Sequence, residues 1–249
     1  MRHLDLFSGI GGFALAASWV WGEDHEIVSF CEIEPFPQKV LKKHWPDVPI
    51  HDDIKTMKGD RYGRINLLTG GFPCQPYSVA GKQRGSEDDR ALWPEMFRII
   101  KEAKPDWIIG ENVAGFIGMG LDDSLSDLES EGYETTAFII PACGVGAQHT
   151  RQRVWIVANS NNVRLQKVFK QSRDIYKESK KEIFNIGHIR GPGLQVGKRI
   201  LRESDPGILR VADGIPDRVD RIKGLGNAIV PHVVVPIMQA IKQIEQEQI

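Results

Sequence analysis

Short apolar runs recur along the first 158 residues, and longer segments with apolar positions three and four apart lie between them. The short runs read as buried strands: His3–Phe7, Ile27–Ile33, Ile65–Thr69, Trp107–Glu111, Thr135–Pro141 and Val154–Ala158. The helical period predicts helices over Phe13–Trp21, Phe36–His44, Leu92–Ala103 and Asp122–Glu131. Strands alternating with helices mark βαβ units, so the expected fold class is α/β, a doubly wound, mostly parallel sheet. Ligands of such sheets gather at the carboxyl ends of the strands, which directs attention to the residues just after each strand.

The pattern changes after Asn159. Up to Lys223 strand-like runs are weak, and Gly191-Pro192-Gly193 interrupts the segment. Residues 159–223 are therefore expected to form a small separate region. Ala228–Ile244 is expected to return as a helix despite Pro231 and Pro236, so that 1–158 and 224–249 form one domain. Charge follows the same division. The chain carries −1 overall, but Arg151–Lys223 holds 17 Lys and Arg against 8 Asp and Glu, a net of +9 against −10 elsewhere. A basic stretch of this kind suits a phosphate backbone, although a solvated lysine-rich surface has the same composition. Hydrophobic residues at 41% and charged residues at 26% exclude a disordered or collagen-like chain. No apolar run approaches the roughly 18 residues of a membrane span and the start has no signal-peptide profile, so a cytoplasmic protein without a membrane partner is expected. Cys31, Cys74 and Cys143 lie far apart and outside any Cys/His cluster, which indicates neither a disulfide framework nor a metal site.

Several strand ends carry chemistry. The first runs through Asp5-Leu6-Phe7-Ser8-Gly9-Ile10-Gly11-Gly12 into a helix, a turn whose glycines admit close approach of a ligand. The spacing is not GxGxxG, so a dinucleotide pyrophosphate is disfavoured, and a plain tight turn would look similar. Glu32 ends the second strand, where a carboxylate suits ribose hydroxyls, and Asp53 follows as an acceptor for an adenine amino group; either also suits a turn or helix cap. Gly70-Gly71-Phe72-Pro73-Cys74-Gln75-Pro76-Tyr77-Ser78 is a stiff loop that displays the Cys74 thiol, a candidate nucleophile. Glu111-Asn112-Val113 brings a carboxylate to the same edge, where partial burial would raise its pKa. Arg151 and Arg153, two apart before a strand, are expected to share a face and to suit phosphate or carbonyl oxygens.

Taken together, the glycine turn, Pro73-Cys74-Gln75, Glu111-Asn112-Val113, the paired arginines and Gly226-Asn227-Ala228 resemble, in order, the C5-cytosine DNA methyltransferase family. The resemblance covers nearly all of the first 158 residues and the last 26, and implies a Rossmann-like methyltransferase domain with residues 159–223 reading DNA. It implies S-adenosylmethionine (SAM) as cofactor: Phe7 and Asp53 with Ile54 at the adenine, Glu32 and Ile33 at the ribose side. Gly9, Ile10, Gly11 and Gly12 would lie at the methionine part, and Pro73, Leu92, Asn227 and Ala228 would close the pocket. It also implies catalysis on a cytosine rotated out of duplex DNA, with Cys74 attacking C6 and Glu111 at N3. Arg153 would hold O2, Arg151 would support the site, and Gln75, Ser78, Asn112 and Val113 would line the substrate side. A monomer, with a cognate restriction endonuclease as an optional partner, fits this reading.

The chain departs from the family pattern in places. His149 stands where the family usually has Gln, with Gln148 one position away. The arginine motif ahead of Gly226-Asn227 is not recognisable, and the variable segment is short. Three other readings use parts of the pattern. An RNA cytosine methyltransferase on the same scaffold lacks support from a Cys-Phe-Thr signature. A non-catalytic SAM-fold module has no need of both Cys74 and Glu111, and an oxidoreductase lacks the glycine spacing.

Overall fold

A computed structural model of the chain describes residues 1–73, 92–145, 147, 151–160 and 218–247. Seven strands form one sheet: β1 Arg2–Leu6, β2 Glu26–Cys31, β3 Ile50–His51, β4 Leu67–Gly70, β5 Trp107–Val113, β6 Glu134–Pro141 and β7 Gln152–Asn159. Their spatial order is β3-β2-β1-β4-β5-β7-β6. The first five strands pair in parallel, whereas β7 is antiparallel to both β5 and β6. The link from β6 to β7 contains only a 3-10 turn, Ala142–Val145, among its described residues. A parallel return would need a crossover of a dozen or more residues, so the chain comes back antiparallel.

The helices are α1 Gly12–Trp21, α2 Pro35–His44, α3 Trp93–Ala103, α4 Leu121–Ser130, α5 Arg218–Asn227 and α6 Pro231–Gln246. They cover both faces of the sheet. One face buries Phe13 and Trp21 of α1 and Ile237, Ile241 and Ile244 of α6 against Trp107, Trp155 and Val157. The other buries Met96, Ile99 and Ile100 of α3 and Leu128 of α4 against Leu4, Leu6, Leu68 and Ile156. Side-chain alternation assigns the polar groups as well: His3, Asp5 and Thr69 point to the α1 side, while Leu4, Leu6 and Leu68 point to the α3 side.

Two sequence expectations change. The C-terminal helix begins at Pro231, whose missing N–H is no loss in a first turn. Gly224–Asn227 belong to the end of α5. Pro236 stays inside α6, buried. The second change concerns membrane-length segments: Lys223–Gln246 is long and apolar enough to span a bilayer, with a mean hydropathy of 1.4. The expectation that no run approaches that length fails because charged residues are sparse across α6. Its apolar residues are those of a core helix, with Val233, Val234, Ile237, Met238, Ala240 and Ile241 buried against the sheet and α1.

Candidate active site

The glycine turn follows directly from β1. Phe7, Gly9 and Gly11 all have left-handed backbones, at φ 51°, 53° and 86°. Glycine takes this conformation freely, but Phe7 takes it at a cost of roughly 1–3 kcal/mol, which the surrounding hydrogen bonds must offset. Ser8 provides them: its N–H donates to Cys31 O at 3.0 Å and its Oγ donates to Asp5 O at 2.6 Å. The turn is thus tied to the end of β2, where Glu32 is only 7% exposed. Its Oε2 accepts the N–H of Gly9 and its Oε1 the N–H of Glu34, both at 2.7 Å. Burial pushes the Glu32 carboxyl up and these backbone donors pull it back. An ionised carboxylate offers about four acceptor sites, so acceptor capacity remains for a bound hydroxyl.

Beside Glu32, Ile33 is 68% exposed, an apolar surface next to the half-buried Phe7. Asp53 turns one oxygen to the N–H of Lys55 at 2.9 Å. Ile54 follows it, but its side chain belongs to the core and its carbonyl accepts from Arg98 at 2.7 Å.

Beneath the turn lies a chain of buried polar groups. Thr69 Oγ1 donates to Asp5 Oδ1 at 2.6 Å and bonds His3 Nε2 at 2.7 Å, while His3 Nδ1 meets His25 Nε2 at 3.0 Å. Among the described residues, Asp5 Oδ2 is buried without a hydrogen-bond partner. Burial drives the Asp5 carboxyl up to about 7 and His25 down to about 4, with His3 also lowered.

Glu111, near the end of β5, is likewise 7% exposed. Its Oε1 pairs with Arg153 Nε of β7 at 2.8 Å, a diagonal contact across the antiparallel pair. Burial raises its carboxyl, and the guanidinium groups of Arg153 and Arg151 oppose that shift. Gly71, which opens the loop after β4, is so close that a side chain there would start 3.4 Å from Glu111 Oε2. Asn112 points to the other side of the sheet and donates from Nδ2 to Phe72 O at 3.3 Å. Phe72 is further pinned between Trp93 and Phe116, with ring centroids at 5.3 and 5.2 Å, so the loop departs from a fixed point. Val113, half-buried, closes β5; Pro73 is exposed. Cys74, Gln75, Ser78, Gln148 and His149 lie outside the described residues, as does 161–217.

The two arginines are held differently, although both guanidinium groups act on the Glu111 carboxyl. Arg153 is in β7, but Arg151 precedes it with φ 25°, and the alternation does not extend to it. Its guanidinium donates instead to Gly226 O at 2.8 Å and Ala228 O at 2.9 Å, bolting the α5–α6 junction to the base of β7. Burial and the neighbouring Arg153 lower its pKa. Asn227 is exposed and Leu92 half-buried as the residue before α3.

Sequence reasoning missed Ile229. Its side chain lies over Gly12, where a Cβ would approach it to 2.6 Å, and reaches Gly71. One apolar group thereby joins the glycine turn, the loop after β4 and the C-terminal helices. The paired absence of side chains at Gly12 and Gly71 was the available signal, but it does not reveal what fills the space. A cleft of about 560 Å³ opens between the turn and this junction, lined by Ile10, Gly11, Arg151, Leu225, Ala228 and Ile229. Glu32 and Asp53 do not line it; Glu32 is bonded to the turn at Gly9. The carboxylates and exposed Ile33 suit the adenosine part of SAM, and the glycine backbone with the adjacent cleft suits its amino-acid part.

Comparison with known proteins agrees with this arrangement. Residues 1–202 match the family model for C-5 cytosine-specific DNA methylase. The chain is 36% identical over 163 residues to the Type II methyltransferase M.NgoMIV of Neisseria gonorrhoeae, a match covering 64% of this chain and 51% of that protein. It is 32% identical over 193 residues to the Type II methyltransferase M.HgiCII of Herpetosiphon aurantiacus, covering 74% and 42%. The chain thus spans about half the length of the curated relatives it matches. Among solved structures it is similar to DNMT2 of Spodoptera frugiperda, with a TM-score of 0.55 and 25% identity, covering 66% of this chain and 51% of that one. The sheet, the two glutamates at its carboxyl edge and the match over residues 1–202 lead to one assignment: the chain belongs to the C-5 cytosine-specific DNA methylase family.

Proposed function

We propose that the protein transfers a methyl group from SAM to C5 of a cytosine rotated out of duplex DNA. The observation that carries this reading is the Glu111–Arg153 pair at the root of the Pro73–Cys74–Gln75 loop. Only Phe72 and Pro73 stand between Gly71 and Cys74, so the chain length puts the Cys74 backbone no more than about 11 Å from Gly71, within the reach this chemistry requires.

C5 of cytosine is a poor nucleophile until a thiolate adds to C6. Cys74 makes that bond, and the electron pair displaced from the C5–C6 double bond moves toward N3. Glu111, raised by burial, delivers a proton to N3 as the charge develops. Arg153 orients Glu111 and offers its remaining N–H groups to O2. Glu32 and Asp53 hold the cofactor, which when bound supplies an electrophilic sulfonium methyl. Once C5 carries the methyl group, with S-adenosylhomocysteine as the leaving group, loss of the C5 proton to solvent would expel the Cys74 thiolate, and return of the N3 proton to Glu111 would restore the neutral aromatic ring.

Residues 1–158 with 224–249 make up the catalytic domain in this reading, and 159–223 with their positive charge contact DNA. A cytoplasmic location and a cognate restriction endonuclease as partner belong to the same proposal. Duplex DNA carrying 5-fluorocytosine tests the chemistry, since the fluorine at C5 blocks elimination. The expected result is a covalent complex, dependent on SAM and lost in Cys74→Ala. Methylation of ordinary DNA without trapping would refute the covalent route.

A further inference from the structure

Asp53 stands at the head of an irregular segment after β3, and α3 grips that segment through charged groups. Arg98, midway along α3, donates from Nη2 to Ile54 O at 2.7 Å and from Nη1 to Met57 O at 2.9 Å. Two carboxylates on its own helix aim it: Glu95 Oε2 accepts from Nε and Glu102 Oε1 from Nη1, each at 2.9 Å. Glu102 also reaches the segment itself, its Oε2 accepting the N–H of Gly59 at 2.7 Å. Both carbonyls taken by Arg98 lie within four residues of Asp53, whose Oδ1 is turned by the Lys55 N–H.

Adhesion alone does not call for this arrangement, because Ile54 and Met57 are already buried at 5% and 0% exposure beside Ile99 and Ile100. Apolar packing holds the segment down but leaves it free to slide. A planar guanidinium fixed by two acids and bonded to two carbonyls sets position and direction together. We propose that Arg98, oriented by Glu95 and Glu102, is a positioning residue for Asp53 and so sets the preference of the site for the adenine amino group. The proposal rests on the methyltransferase reading above. Lysine does not substitute, since its single ammonium cannot span both carbonyls in the same plane.

The test compares binding of S-adenosylhomocysteine with that of S-inosylhomocysteine, whose base carries an oxygen in place of the amino group. Calorimetry is run on wild type, Arg98→Gln, Arg98→Lys, Asp53→Ala and the Arg98→Gln/Asp53→Ala double variant. Wild type should prefer the adenosyl compound by about tenfold to a hundredfold, the worth of one hydrogen bond to a charged group. Arg98→Gln should fall to the preference of Asp53→Ala, with no further loss in the double variant, and Arg98→Lys should lose most of it. Equal weakening toward both compounds in folded Arg98 variants, with the preference intact, assigns Arg98 a merely structural role and overturns the proposal. Should Arg98→Gln fail to fold, Arg98→Lys carries the comparison. Wild type that binds both compounds equally also overturns it and leaves the methyltransferase reading to the fluorocytosine test; wild type that binds neither defeats both.

Discussion

Glu32 and Glu111 both lie at the carboxyl edge of the sheet, Glu32 just past β2 and Glu111 inside β5, each 7% exposed and each raised by burial. They differ in what holds them. Two backbone N–H groups fix Glu32, so both its oxygens are oriented by neutral donors that cannot leave. Glu111 is held by a guanidinium on the neighbouring strand, a partner that rotates and can be shared with a substrate. A carboxylate fixed by amides remains an acceptor through a binding cycle. One paired with a charge is able to exchange partners and change its protonation state, which general acid chemistry requires.

That contrast breaks most sharply at Glu111. Glu111→Gln should lower turnover by about 10²- to 10⁴-fold, the usual contribution of a positioned acid, with binding of S-adenosylhomocysteine unchanged. Single-turnover assays and calorimetry separate the two effects.

Asp5 extends the cofactor edge to a group with neither device, and its signature is in stability. Its carboxyl is raised to about 7 in the fold, against about 4 when unfolded. The folded state therefore binds the proton more tightly, and this stabilisation is full below pH about 4 and lost as pH rises toward 7. His3 and His25 are lowered, so their contribution has the opposite sign and is lost as pH falls below about 6.5. Asp5→Asn cannot ionise. Relative to wild type its unfolding free energy should climb by up to about 4 kcal/mol between pH 4 and 8, measured by denaturant titration at each pH.

Glu32→Gln should weaken binding of S-adenosylhomocysteine by about tenfold to a hundredfold while leaving the rate of the bound complex within a few-fold of wild type. Loss of turnover with affinity intact would erase the distinction between the two glutamates. The smallest effect belongs to the bolt between the two edges. Arg151→Met removes the donor shared by Gly226 O and Ala228 O and should cost about 1 kcal/mol, a drop of roughly 2–4 °C in Tm by calorimetry.

Much of the sheet was legible because buried parallel strands are short apolar runs. Strands β1, β2, β4, β5, β6 and β7 fall within a few residues of their expected bounds, as do α1 to α4. β3 escaped because two residues, Ile50 and His51, carry no period. The antiparallel sense of β7 escaped because strand composition does not encode direction; only the short link before it does. Glu111 was readable from its motif, and so was Arg153. The course of Arg151 was not, since one residue in a left-handed conformation redirects the whole side chain. Arg98 and Ile229 were invisible for a related reason: each acts on segments distant in sequence, and neither lies in a motif.

The placement of α6 has a consequence for how the chain is made. Phe13, Trp21 and Trp155 leave the ribosome long before Pro231–Gln246, the helix that roofs them, has been translated. Until then a broad oily surface is bare on the nascent polypeptide, and contacts this remote in sequence close slowly. Slower synthesis lengthens that exposure, whereas a chaperone bound to the uncovered wall of α1 shields it. Chains that stop before Pro231 should therefore collect in inclusion bodies.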